Sequence, residues 1–89
     1  MIERPIEIVN KLGLHARAAA KLVQLLGAYK SNAWLCYRER EINAKSIMGV
    51  MMLAAGIGST VLVRIDGADE EAAMNATVDL FERKFDEGQ

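Results

Sequence analysis

The chain has 89 residues, 52% apolar and 26% charged, which sets it among small, soluble, one-domain proteins and apart from disordered ones. A formal net charge of −1 excludes any general attraction to nucleic acid or an anionic membrane, so binding must come from local patches. No apolar run spans a bilayer, the first residues lack a signal-peptide core, and Cys36 is the only cysteine; a cytoplasmic domain without a disulfide is expected.

Residues from about Ile2 to Val9 alternate as a strand, with Pro5 near its start or on an unpaired side. Asn10 to Leu14 reads as a loop in which Gly13 takes a backbone angle others avoid. A first helix follows, from about Ala16 to Leu26. Ala19, Leu22, Val23 and Leu26 make its apolar stripe, Arg17, Lys21 and Gln24 lie on another face, and Gly27 is the expected stop. Ala33 to Tyr37 alternates again, with Trp34 and Cys36 on the face opposite Ala33, Leu35 and Tyr37. Arg38 to Arg40 is a polar turn without Gly or Asn, and Glu41 to Asn43 is the return strand of a hairpin.

Ser46 is a favoured N-cap for a short second helix reaching about Leu53. That helix is apolar almost all round. Val50 and Leu53 can share a core face, which leaves Ile47, Met48, Met51 and Met52 without room inside. Flexible thioethers on an exposed patch suit a surface that accepts more than one partner; loose methionine packing in the core is the plainer alternative. Ala54 to Ser59 is a turn lacking a P-loop ending. Thr60 to Asp66 is the fourth strand. Asp69 is expected to cap a last helix, with Ala73, Ala76, Leu80 and Phe81 inward, Arg83 and Lys84 at its negative end, and a frayed tail from Asp86. The order βαββαβα implies an α+β domain with three helices on one face of a four-stranded sheet. Its other face is open to water, which accounts for Glu7, Glu41 and Arg64 within strands and admits Trp34 there.

His15, the only histidine, stands where the first helix begins. The positive helix end favours its neutral form, and a phosphoryl group on the ring would face free backbone N–H groups and Arg17. A nucleophile beside an anion cradle points to phosphoryl transfer. From spacing alone an ordinary capping histidine remains the simpler reading, because no second acid, base or metal ligand lies near it in the sequence.

Two motifs bring in a family. Gly13-Leu14-His15-Ala16-Arg17 before one helix, and Asn43-Ala44-Lys45-Ser46-Ile47-Met48-Gly49-Val50-Met51 opening another, resemble the histidine-containing phosphocarrier (HPr) of the bacterial phosphoenolpyruvate phosphotransferase system. The resemblance covers essentially all of residues 1–89 as one domain. It implies an open-faced β-sandwich, a four-stranded antiparallel sheet with three helices on one face.

By that resemblance His15 takes a phosphoryl group on Nδ1 from phosphorylated enzyme I and passes it to a histidine of an enzyme IIA protein. Arg17 balances the charge, and the N–H groups of Ala16 and Arg17 form the cradle. Ala20, Lys21 and Gln24 with Ile47, Met48, Met51 and Met52 meet both partners. Ser46 matches a regulatory site of an HPr kinase/phosphorylase. The implied protein is a monomeric carrier rather than an enzyme, without cofactor or metal. Ala18 departs from the proline that many members carry, at a first-turn position where either residue suits a helix. Two alternatives stand beside this reading. One is a nitrogen-branch carrier, whose flavour the run from Leu80-Phe81 to Phe85-Asp86-Glu87 shares; the other is a non-catalytic interaction domain controlled through Ser46.

Overall fold

Alternating burial builds the sheet. Ile6, Ala33, Leu35, Val61, Val63 and Ile65 point inward, and the residues between them point out. In the computed structural model, which describes residues 1–87, the elements are β1 (Ile2–Glu7), α1 (Ala16–Gly27), β2 (Asn32–Tyr37), β3 (Arg40–Asn43), α2 (Ile47–Met52), β4 (Thr60–Asp66) and α3 (Glu70–Glu82). A single 3-10 turn, Lys84–Asp86, closes the described chain. The strands form one antiparallel sheet in the order β1-β4-β2-β3, with Ile6 opposite Val61 and Leu35 opposite both Val63 and Ile42. Among the described residues no helix is long and apolar enough to cross a membrane.

The helices pack on the inner face. α1 contributes Ala18, Ala19, Leu22 and Leu26, and α3 contributes Ala73, Met74, Leu80 and Phe81, all buried. Each of the larger aliphatic or aromatic side chains stabilises the fold by about 1.5–3 kcal/mol on burial. Thr77 is buried among them because its hydroxyl donates to the Ala73 carbonyl at 2.8 Å. α2 gives the core Val50, with Leu53 beside it. On the outer face Arg64 bridges Glu3 and Glu41 across the sheet, next to half-buried Trp34 and Cys36. Burial, then the bond its Sγ donates to Glu41, pushes the Cys36 thiol up.

Three expectations change. Gly27 lies inside α1; the helix ends at Ala28 in ordinary right-handed geometry, with the N–H groups of Ala28 and Tyr29 closing on the carbonyls of Leu25 and Leu26. Asp69 occupies the N-cap position of α3, yet its carboxylate makes no cap bond. It accepts instead from the N–H groups of Lys30 at 2.8 Å and Ser31 at 3.0 Å and from the Ser31 hydroxyl, tying the α1–β2 loop to α3. The tail is not frayed through Glu87: Phe85 is fully buried, its ring 4.9 Å from that of Phe81. Gly88 and Gln89 lie outside the described residues.

Candidate functional site

The site grows from the loop before α1. Gly13 adopts φ 65°, and a Cβ there would sit 2.6 Å from the Ala55 carbonyl oxygen, so only glycine lets this loop lie against residues 54–59. Leu14 N–H donates to the same carbonyl at 3.0 Å and buries its side chain. With the chain pinned on both sides, His15 becomes the N-cap residue of α1, with extended backbone and its carbonyl accepting the Ala19 N–H at 2.8 Å. Its imidazole does not cap the helix. The first N–H groups of α1, including those of Ala16 and Arg17, therefore have no side-chain cap, at the positive end of the helix. Ala16 and Arg17 are exposed, and among the described residues no ion pair holds the Arg17 guanidinium.

An acid does stand beside the histidine, contrary to what the local sequence suggests. His15 Nε2 is hydrogen-bonded to a carboxylate oxygen of Glu87, 72 residues away in the chain. The other Glu87 oxygen accepts from Asn10 Nδ2 at 3.2 Å, and Asn10 Nδ2 also donates to the Gly13 carbonyl at 2.8 Å. Two acceptors facing Nδ2 set the orientation of the buried Asn10 amide and leave its Oδ1 as the one buried side-chain polar atom without a partner among the described residues. His15 keeps a quarter of its side chain exposed, while Glu87 keeps 7%. Nδ1 makes no hydrogen bond among the described residues.

The residues expected to meet partners differ in exposure. Ala20 and Gln24 are exposed on α1, and Lys21 is half-buried because its Nζ donates to the Phe85 carbonyl at 2.7 Å. α1 and α2 pack together. On α2 Ile47, Met48, Met51 and Met52 are all exposed, Met48 by 69%. Ser46 caps α2, its Oγ accepting from the Gly49 N–H at 3.1 Å. Leu12 and Ile57, also exposed, extend the apolar groups along the two loops that meet at Gly13. Single exposed apolar residues in loops carry no signal until the loops are seen side by side. Asn10 and Glu87 escaped for a related reason, since nothing local links them to His15. Among the described residues no cluster of His, Cys, Asp and Glu has the makings of a metal site.

The family model for the phosphorylation site of the phosphotransferase-system HPr component matches residues 2–83. The chain belongs to the HPr phosphocarrier family. It is 56% identical over 87 residues to the phosphocarrier protein HPr of Xylella fastidiosa strain Temecula1, covering 98% of each chain. It is 55% identical over 89 residues to that of Cupriavidus necator, covering both completely. Its fold is similar to the crystal structure of HPr-C-His from Thermoanaerobacter tengcongensis, with a TM-score of 0.94, 48% identity and 98% of each chain covered. The open-faced sandwich expected from the motifs is therefore the architecture of this chain, and its role is that of a phosphotransferase-system phosphocarrier rather than a catalyst in its own right.

Proposed function

We propose that His15 is the carrier nucleophile: Nδ1 takes a phosphoryl group from phosphorylated enzyme I and passes it to a histidine of an enzyme IIA protein. The observation that carries this reading is the state of the imidazole. It sits on a helix N-cap with Nε2 engaged by Glu87, Nδ1 without a hydrogen bond among the described residues, and no side-chain cap on the first N–H groups of the helix. The Ala16 and Arg17 N–H groups and the Arg17 guanidinium are the donors for the phosphoryl oxygens. A phosphohistidine is already a reactive donor, so transfer needs alignment and charge stabilisation more than a base.

The docking surface in this reading is α1 and α2 together: Ala20, Lys21 and Gln24, the four exposed apolar residues of α2, and Leu12 and Ile57 at the edge. Ser46 is the regulatory phosphorylation site. Its hydroxyl lies at the head of this patch, and a phosphate there retains an oxygen for the Gly49 N–H while adding up to about two negative charges to the surface. The chain acts as one cytoplasmic phosphocarrier domain over residues 1–89, as a monomer and without cofactor. Because both relatives cited above bear the HPr name, the main branch is favoured over the nitrogen-related one.

The test is incubation with phosphoenolpyruvate and enzyme I, read by intact mass and acid lability. The expected result is one acid-labile phosphate that His15→Ala abolishes with the fold unchanged. No labile phosphate, or one retained by His15→Ala, removes the carrier assignment and promotes the interaction domain controlled through Ser46.

A further inference from the structure

The terminal turn is built in an expensive conformation. Lys84, Phe85 and Asp86 have φ of 57°, 55° and 61°, three consecutive non-glycine residues in the left-handed region that L side chains disfavour. Two tertiary contacts and two local turn bonds hold the segment there. Phe85 is buried on Phe81, Lys21 Nζ grips the Phe85 carbonyl, Asp86 N–H donates to Arg83 O at 3.0 Å and Glu87 N–H donates to Lys84 O at 3.0 Å. The outcome is to bring one carboxylate, nearly buried, onto His15 Nε2 and Asn10 Nδ2.

We infer that Glu87 is a positioning residue for phosphoryl transfer, holding the proton on His15 Nε2 so that Nδ1 both accepts and releases the phosphoryl group. The inference rests on the carrier reading of His15. An ionised carboxylate only accepts, so the nitrogen facing it carries the hydrogen and the lone pair lies on Nδ1. On acceptance that lone pair forms the N–P bond, and the bond to the donor breaks with its electron pair leaving on the donor. The ring becomes cationic and keeps its Nε2 proton against Glu87. On discharge the N–P bond breaks, its pair returns to Nδ1, and a neutral imidazole leaves with the same Nε2–H. No proton crosses in either direction. A phosphohistidine that had lost the Nε2 proton would have to expel imidazolate, a far poorer leaving group. Among the described residues Glu87 is the one charged side chain hydrogen-bonded to the ring; on the adjoining α1, Arg17 makes no ion pair and Lys21 Nζ lies 4.0 Å from Asp86 Oδ2 of the terminal segment, and α2 contains no charged residue.

The test uses the full chain and its Glu87→Gln and Glu87→Ala variants, each loaded from phosphoenolpyruvate and enzyme I. Spontaneous hydrolysis of the phosphohistidine is followed against pH by phosphorus NMR, and the tautomer of unloaded His15 is read by nitrogen-15 NMR. Wild type should show hydrogen on Nε2. Glu87→Gln, with its melting temperature preserved, should move the alkaline loss of hydrolysis rate to lower pH and slow hydrolysis about tenfold on that limb. Glu87→Ala should give a mixed tautomer population. Superimposable pH profiles for wild type and Glu87→Gln, or a wild-type ring carrying its hydrogen on Nδ1, would overturn the inference. Both results still leave a loaded His15, whereas failure of the carrier reading leaves nothing to hydrolyse.

Discussion

At the residue scale, Asp69 links two loops through one carboxylate. The Ser31 hydroxyl first, then the Lys30 N–H, hold it below the ordinary carboxyl value of 3.8. A group depressed on folding stabilises in full above its unfolded value, and the contribution disappears as pH falls through the folded one. Asp69→Asn should therefore lower the melting temperature at neutral pH, and the gap to wild type should begin to shrink below about pH 4 and vanish once pH has fallen through the folded value. Thermal melts across the acid range check this; a gap that persists there would assign the effect to geometry instead of charge. Gly67 makes the same contact possible from the other side, since a Cβ on it would lie 2.4 Å from Ser31 Oγ.

At the element scale, the β2–β3 hairpin has a two-residue turn built against preference. Tyr37 pairs with Arg40, so Arg38 and Glu39 alone connect the strands, with φ of 51° and 67°. Such a turn matches strand twist but favours Asn or Gly at both places. Arg38 has a partial compensation, its guanidinium lying 5.1 Å from the centroid of the Tyr37 ring. Glu39 has none among the described contacts. Glu39→Gly should stabilise the protein by about 0.5–1 kcal/mol, relief of the left-handed strain outweighing the added freedom of the unfolded chain. Urea denaturation measures it, and a variant of equal or lower stability would refute the argument. α2 presents the opposite balance. Six residues bury only Val50, so the helix depends on its Ser46 cap and on Arg40 Nη1 holding the Met52 carbonyl at 3.0 Å.

At the scale of the whole molecule, the fold divides labour between its faces. The outer sheet face carries Glu3, Arg64 and Glu41 in exposed ion pairs, which add little stability but keep that face in water. The opposite side carries the helices, with α1 packed on α2 and Ile47, Met48, Met51 and Met52 exposed. In the proposed reading, where this side docks enzyme I, a charge placed at Ser46 acts on docking more than on folding. Ser46→Asp should slow phosphoryl transfer from enzyme I by about tenfold at low salt, with the deficit shrinking as salt screens it. Stopped-flow transfer rates over a range of ionic strength read this. A salt-independent deficit would point to a damaged α2 cap, and an unchanged rate would remove Ser46 from the docking surface.

Element order, the inward alternation of β1, β2 and β4, the Ser46 cap and the surplus of apolar residues on α2 were all legible in residues 1–82, because periodicity and capping are local. So was His15 at a helix start with Arg17 beyond it. Asp69 showed the limit of local rules: its sequence position is that of a cap, but a loop 38 residues away offers it three donors. The tail is the larger case. A short polar run after α3 reads as frayed until Phe85 finds Phe81 and Lys21 finds the chain's last described turn. Only that long-range packing, strong enough to hold three side-chain-bearing residues left-handed, brings Glu87 to a histidine 72 residues away.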